Sequence, residues 1–451
     1  MTPDPLDRLF ALETFGIKLG LHNMQTLCGA LGHPERHFAS LHVAGTNGKG
    51  SVTALTHGAL LAEGILAARY VSPHLVDLSE RFVIGHSSVD ASTLQQTADD
   101  VLAVVDRLKS DGTLTVTPTF FEVTTAMAFE MFRRAGVEVA VIEVGLGGRF
   151  DATNVITPVV GAVTTIGMDH QQHLGTTIAA IAREKAGIIK NGVPIVIGDL
   201  PADATAVVHA VADEHGAEVV ESHAGIRVDV TMEEGRARMT LDTPEGRYGP
   251  LTLSLRGAHQ VANAIVATRL LETAGARGIK VSAGAIEHAL AVTEWPARLE
   301  LVTLDPARLD GGRLDGGRRV LIDAAHNPDC AMALAAYLRQ WHPEKPTLVI
   351  SVMRDKDIDE ILAALVPVTS TVIATHAPSP RAIPEGELAR RIADLQTRLG
   401  RESTVTTIAD PEAAVSAALE RSNTVCVAGS IFLAGAVRDA LNRRAILHSR
   451  P

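Results

Sequence analysis

Short apolar runs rich in β-branched residues alternate along the chain with longer helix-like stretches. The runs Val137–Val144, Val159–Ile166, Val193–Ile197, Val320–Asp323, Thr347–Met353, Thr371–Thr375 and Thr424–Ala428 each end in turn glycines or polar residues. Continuous apolar runs predict strands buried on both faces, and intervening helices predict parallel crossovers. Between about Ala217 and Leu255 the pattern turns to polar alternation. There Val219-Val220, Ile226–Val230 and Ala237–Leu241 predict short strands of a small inserted sheet, antiparallel or mixed. Trp295-Pro296 follows a helical stretch and precedes a new set of strands, which predicts domains at 1–296 and 297–451. The duplicated Leu309-Asp-Gly-Gly-Arg313 and Leu314-Asp-Gly-Gly-Arg318 predict a flexible hairpin tip.

Composition adds limits. At 451 residues the chain can hold two or three domains with substantial cores. Lys plus Arg is 41 against 52 for Asp plus Glu, a net charge of −11 that argues against nucleic-acid binding but allows a local basic pocket. Three widely spaced cysteines, Cys28, Cys330 and Cys426, suit reduced thiols in the cytoplasm. Met1–Arg8 has no apolar signal core. The uncharged run Thr424–Val437 is too short and Gly-rich for a membrane span, and predicts a buried strand and turn.

The densest chemistry lies in His42-Val-Ala-Gly-Thr-Asn-Gly-Lys-Gly-Ser51. An apolar lead-in, a glycine-rich turn and a helix-forming run from Val52 to Leu61 predict strand, phosphate loop and helix. Glycines let backbone N–H groups close on a polyphosphate, Lys49 adds a point charge, and the helix N-terminus favours anions. The usual loop has Gly at the position of Val43 and no residue between Lys and Ser/Thr, whereas here Gly50 intervenes. A plain tight turn before a helix is the bland alternative.

Ligands of open α/β sheets gather at the carboxyl ends of strands. Glu143, at the end of one run, is placed to bind Mg²⁺ directly or through water, or is a satisfied buried acid. Gly147, Gly148 and Arg149 could shape a second anion-binding turn. His170 sits just past another run and is a candidate ligand, while His173 reads as structural or solvent-facing. Arg183-Glu-Lys-Ala-Gly187 reads as a helix end with Gly187 near its C-cap, which gives Lys185 no special status. Asp323-Ala-Ala-His-Asn-Pro328 follows a strand and forms a plausible polar site. Arg298 could reach a phosphate or serve in a salt bridge, and Gly429-Ser430 repeats the strand-end logic.

Together these motifs resemble the folylpolyglutamate synthase and dihydrofolate synthase family, a branch of the Mur-type ATP-dependent ligases. The resemblance spans nearly the whole chain. It rests on the phosphate loop with its Lys-Gly-Ser ending, Ser72-Pro-His-Leu75, Glu80-Arg-Phe82, Glu143-Val-Gly-Leu-Gly-Gly-Arg149, Asp151-Ala-Thr-Asn154, Asp169-His170, Glu184-Lys-Ala-Gly187, His259-Gln260, Asn263-Ala264 and Asp323–Pro328. It implies an α/β protein with a P-loop ATPase domain built on a mainly parallel sheet, plus a smaller C-terminal Rossmann-like α/β domain. The implied reaction uses ATP to activate a folate or dihydropteroate carboxylate as an acyl phosphate, which L-glutamate then attacks. Both activities in one chain are expected.

The resemblance further implies that Gly45, Thr46, Asn47, Gly48, Lys49, Gly50 and Ser51 hold the nucleotide, with Asn263, Arg298 and Asp323. It assigns the metal to Ser51, Ser72, Glu143, His170 and Lys185, the last as a carbamate. Ser72, Pro73, His74, Arg81, Phe121, Asp151 and Ser430 would bind substrate, and Lys49, Lys185 and His326 would carry catalysis. Mg²⁺ is the implied metal, with a monovalent cation as a further candidate. The implied protein is a cytoplasmic monomer that binds no nucleic acid or membrane. Position 324 is Ala where Gly is commoner in the family, and Leu19-Gly-Leu-His-Asn23 lacks the usual acid-Arg pair. The alternatives are a Mur-type ligase for a cell-wall precursor, a P-loop switch or transport ATPase, and a binding protein that has lost catalysis.

Overall fold

The structure is a computed structural model that describes residues 4–15, 20–304, 317–402 and 405–443. The predicted hairpin tip lies outside the described residues except for Gly317 and Arg318. The chain forms two compact units. The first comprises Met1–Val230, Met239–Thr252 and Val261–Thr293, and the second Thr231–Arg238, Leu253–Gln260 and Glu294–Pro451.

The first unit is built on an eight-stranded sheet of β1 (Ala39–Ala44), β2 (Ala67–Tyr70), β3 (Phe82–Ile84), β4 (Ser87–Ser88), β5 (Val139–Glu143), β6 (Val160–Val163), β7 (Ile195–Ile197) and β8 (Val219–Glu221). Its order is β4-β3-β2-β5-β1-β6-β7-β8. The pairs from β2 through β8 are parallel, and β3 and β4 add an antiparallel edge. Every residue of β5 and β6 is buried, as expected for strands covered on both faces. One core gathers Phe82, Phe129, Phe132 and Ile142, and another gathers Val163, Ile181, Ile188 and Val208.

Register decides where chemistry can sit. Val43 lies opposite both Glu143 and Ala162, so β1, β5 and β6 end together. The segments that leave these ends are the phosphate loop, the Gly145–Asn154 turn and the Thr164–His170 loop. The helix Lys49–Ala62 starts at the loop lysine itself, three residues before the predicted run. It packs on the helix Ala283–Val292, where Gly58 makes room for Ala289.

Val219 and Val220, predicted in the small inserted sheet, belong instead to the main sheet as β8, parallel to β7. The helix Ala202–Glu214 supplies the crossover length that a parallel pairing needs. The smaller sheet contains β9 (Arg227–Glu233), β10 (Arg236–Asp242) and β11 (Arg247–Arg256), in the order β11-β10-β9.

The second unit centres on a six-stranded sheet of β12 (Glu300–Thr303), β13 (Arg319–Ile322), β14 (Thr347–Ile350), β15 (Val372–Ala374), β16 (Val405–Thr407) and β17 (Thr424–Ala428). The order is β12-β13-β17-β14-β15-β16, with only the β12–β13 pair antiparallel. Its core includes Leu321, Leu334, Leu348, Ile361 and Cys426. The run Thr424–Val437 is a strand followed by the helix Ile431–Arg443, not a strand and turn. Gly429, at φ 98°, makes the turn between them where a Cβ would press on the Ser351 carbonyl.

Candidate active site

The phosphate loop is stitched to the end of β6. Thr46 N–H donates to Thr165 O (2.7 Å), Asn47 N–H to Thr165 Oγ1 (2.9 Å), and Thr164 Oγ1 to Asn47 O (2.6 Å). The Thr46 hydroxyl donates to Gly167 O (3.2 Å) and accepts from Gly167 N–H (3.0 Å). Two loop positions require glycine. Gly45 (φ 149°) and Gly48 (φ 84°) are left-handed, and a Cβ would overlap Thr164 Oγ1 at the first and Asn263 Oδ1 at the second. Asn263 therefore stands directly against the loop. Ser51 is buried in the first turn of the following helix, and Gly50 precedes it there.

Two ammonium groups meet at one carbonyl. Lys49 Nζ donates to Gly45 O (3.0 Å) and Thr46 O (3.2 Å), and Lys185 Nζ donates to Gly45 O (2.9 Å). Lys185 is 4% exposed. Burial, then the charge of Lys49, brings its pKa down to about 7, while Asp169 and Asp151 pull the other way. The helix Ile178–Ala186 carries Lys185 and ends at Gly187, its C-cap, as the sequence predicts.

The Gly147–Arg149 turn packs against that helix end. Arg149 N–H donates to Glu184 O (2.8 Å), and a Cβ on Gly148 would press on the carbonyls of Glu184 and Lys185. Asn154 Nδ2 closes the join with bonds to Arg149 O and Gly187 O, both 2.9 Å. The expected second anion-binding turn thus has a packing role, because the Arg149 N–H and the space beside Gly148 are taken by the helix. Asp151 accepts from Leu146 N–H (2.8 Å), Thr153 N–H (3.0 Å) and Thr153 Oγ1 (2.5 Å), and His42 Nε2 lies 2.8 Å from that hydroxyl. Burial raises the Asp151 pKa despite these donors.

Glu143 is buried as the last residue of β5. His170 is left-handed (φ 49°), its N–H donates to Asp169 Oδ1 (2.8 Å), and its Nε2 lies 3.9 Å from Asp169 Oδ2. His173 is exposed, as expected. Among the described residues no group of three His, Cys, Asp or Glu side chains is arranged to hold a metal.

After β2 the chain forms the Ser72–Arg81 loop, with a cis peptide at Ser72-Pro73. Arg81 is buried, stands 5.1 Å over the Phe120 ring, and donates from Nε to His74 Nδ1 (3.0 Å). Burial and that guanidinium hold the His74 pKa down at about 4, so the ring is neutral with its proton on Nε2. Glu80 accepts from the N–H groups of Leu75, Val76 and Asp77, which fixes the loop. Phe121 stacks on Tyr70 (6.0 Å) and fills the place a side chain on Gly145 would need.

In the second unit, Asp323 follows β13 and is 8% exposed. It accepts from Leu299 N–H (2.8 Å) and Ala325 N–H (2.9 Å). Burial lifts its pKa to about 6, against the opposing pull of Arg298. The bond from Asp323 N–H to Val427 O (3.0 Å) sets it beside the end of β17, near Ser430. Ser430 is buried, and its Oγ accepts from Phe432 N–H (3.1 Å). His326 Nδ1 lies 2.9 Å from Ala324 O. A carbonyl can only accept, so Nδ1 carries the proton.

The Mur ligase middle domain matches residues 43–271, and the Mur ligase glutamate ligase domain matches residues 308–431. The chain is 34% identical to the folylpolyglutamate synthase of Lacticaseibacillus casei over 94% of its own length and 95% of that protein. It is also 34% identical to the dihydrofolate synthase/folylpolyglutamate synthase of Mycobacterium tuberculosis, over 98% of this chain and 96% of the relative. This chain belongs to the folylpolyglutamate and dihydrofolate synthase family of Mur ligases. The Mycobacterium tuberculosis folylpolyglutamate synthase solved with ADP and AMPPCP superposes with a TM-score of 0.87 at 33% identity, covering 98% of this chain and 99% of that one.

In this Mur ligase chain the first unit gathers Lys49, Lys185, Gly45–Gly48, Ser51 and Asn263 around one loop, with Glu143 at an adjacent strand end. The second unit gathers Arg298, Asp323, His326 and Ser430. Sequence reasoning missed Thr164, Thr165 and Tyr70. The two threonines stand just past β6, where strand-end logic could have found them. Tyr70 Oη lies 3.0 Å from Thr124 Oγ1, a contact only the fold reveals.

Proposed function

We propose that the chain is an ATP-dependent ligase that joins L-glutamate to the carboxylate of a dihydropteroate or reduced folate, with both activities in one enzyme. The convergence of Lys49 and Lys185 on the Gly45 carbonyl carries the reading. An anionic carboxylate must approach an anionic triphosphate, and a rigid loop flanked by two lysines offsets that repulsion. The carboxylate oxygen bonds to the γ-phosphorus and ADP leaves. The glutamate amine then bonds to the acyl carbon, phosphate leaves, and the amine sheds a proton. His326, held through Nδ1 to Ala324 O, is the residue we assign to take up that proton.

The donors fit Mg²⁺. Glu143 brings a carboxylate and Ser51 a hydroxyl, both buried oxygen ligands of the kind that ion takes alongside phosphates and water. Ser72 and His170 are the further candidate ligands. Bound Mg²⁺ would neutralise phosphate charge. An ammonium is no metal ligand, so Lys185 would join only as a carbamate. A pKa near 7 keeps much of its amine neutral, which attack on CO₂ requires, with loss of one proton. The Ser72–Arg81 loop with Phe121 and Asp151 would seat the pterin, and Ser430 the incoming glutamate. The enzyme would act as a cytoplasmic monomer. Among the described residues no helix is long and apolar enough to cross a membrane.

The test is ATP-dependent phosphate release with L-glutamate and Mg²⁺, comparing dihydropteroate, tetrahydrofolate and a UDP-muramoyl precursor. Release with both pterins is expected. Release with only one would remove the bifunctional reading, and release confined to the UDP precursor would overturn the folate assignment.

A further inference from the structure

The backbone is left-handed on both sides of Arg298, with Ala297 at φ 54° and Leu299 at φ 48°. Neither residue is glycine, so each bears the Cβ crowding that this region imposes. Strained backbone of this kind persists only where its surroundings over-determine it. Both residues are buried, at 0% and 1% exposure.

Two carboxylates hold the doublet from either side. Glu300 Oε2 accepts from Ala297 N–H (2.9 Å), and Asp323 Oδ2 accepts from Leu299 N–H (2.8 Å). The Ala297 carbonyl between them accepts from Ala324 N–H (3.0 Å) and from Arg298 Nη1 (2.9 Å). Glu300 is itself anchored, because its Oε1 lies 3.2 Å from Nε of Arg438 on the helix Ile431–Arg443. Arg438 thus braces Glu300, Glu300 braces the Ala297 backbone, and that backbone aims Arg298.

We propose that Glu300, anchored by Arg438, is a positioning residue that locks the left-handed doublet and so fixes where the Arg298 guanidinium meets a nucleotide phosphate. The proposal rests on reading Arg298 as a phosphate contact. A merely structural Glu300–Arg438 pair would tie the helix Ile431–Arg443 to β12 and leave the contribution of Arg298 to nucleotide affinity independent of Glu300.

A double-mutant cycle in the full-length enzyme separates these roles. AMPPCP affinity is measured by calorimetry, alongside KM for ATP, kcat and Tm, for Arg298→Ala, Glu300→Ala, Glu300→Gln and the Arg298→Ala/Glu300→Ala pair. Glu300→Ala is expected to weaken AMPPCP on the order of tenfold, the scale of one lost hydrogen bond. Glu300→Gln leaves one acceptor oxygen for two donors, the Ala297 N–H and Arg438 Nε, so its loss should fall between wild type and Glu300→Ala. The double variant should bind no more weakly than Arg298→Ala alone. If the two losses multiply, or if Glu300→Ala binds like wild type while Arg298→Ala is weak, the proposal fails and the Arg298 reading stands. If Arg298→Ala itself binds like wild type, the Arg298 reading fails and takes the proposal with it. Should Glu300→Ala not fold, Arg438→Met removes the anchor from the helix Ile431–Arg443, outside the Ala297–Glu300 segment. Its loss should vanish when Arg298 is already Ala, and persistence of the loss in that background would overturn the proposal.

Discussion

Lys49 and Lys185 donate to the same carbonyl, that of Gly45, at 3.0 and 2.9 Å. Neighbouring positive charges raise the cost of charging each other, and the buried partner bears more of it. The loop lysine therefore keeps Lys185 easier to deprotonate, besides the phosphate contact proposed for it.

Replacing Lys49 with Ala should remove both effects. We expect ligation to fall by at least about 100-fold, the scale for losing one preorganised donor to developing charge. The circular dichroism spectrum should stay unchanged. The Lys185 pKa should also rise, readable as slower amine labelling by a small acylating reagent at pH 8. Near-normal turnover would remove the phosphate-loop argument.

The low pKa of Lys185 also has a thermodynamic sign. The folded side chain titrates near 7 and the unfolded one near 10.5. Between those values the unfolded state binds the extra proton, so this residue makes stability rise with pH across the window. Below pH 7 both states are protonated and the burial penalty is complete. Lys185→Met should therefore stabilise the ligand-free protein at pH 6, by an amount of order a few kcal/mol, and the gain should shrink toward pH 10. Denaturant melts at the two pH values check this, and a pH-independent difference would show that Lys185 is not buried as a costly cation. Lys185→Ala should lose most activity and recover part of it with small carboxylates. Full activity would show that carbamylation is not needed.

The α/β class, the mainly parallel sheets and the family were legible because buried parallel strands read as continuous apolar runs, and because the motifs lie at their ends. Val219-Val220 misled because edge strands of a parallel sheet are half-exposed and look like part of a polar hairpin. The first half of Thr424–Val437 was readable, but a buried helix after a glycine turn looks the same as an apolar loop. Lys185 was invisible to charge patterning, since Arg183-Glu-Lys reads as a solvated helix end. Only the fold shows that this lysine turns inward to Gly45.

Gly148 tests how tightly that inward turn is held. Its φ is not left-handed, so alanine costs nothing in backbone preference. Instead the added Cβ would press on the carbonyls of Glu184 and Lys185, which are backbone and cannot step aside as a side chain could. Gly148→Ala should shift the helix that presents Lys185, lowering turnover at least about tenfold with a destabilisation of ~1–3 kcal/mol, as for other overpacked sites. Wild-type turnover would mean that the Gly147–Arg149 turn does not set the position of Lys185.

Asp323 supplies the opposite titration. Burial raises its carboxyl from the ordinary 3.8 to about 6, and Arg298 limits the rise. Between those values the folded state binds the extra proton, so this group makes stability fall as pH rises toward 6, with the penalty complete above it. The ionised form accepts from Leu299 and Ala325 N–H at the backbone that carries Arg298. Nucleotide affinity should therefore weaken as pH falls through about 6, with one proton taken up. Because the effect runs through the guanidinium that this backbone aims, the pH dependence should disappear in Arg298→Ala, where overall binding is also weaker. Calorimetric AMPPCP titrations of both proteins from pH 5 to 8 check this. A wild-type affinity that is flat across this range, or the same pH dependence in Arg298→Ala, would show that Asp323 does not act on the nucleotide through Arg298.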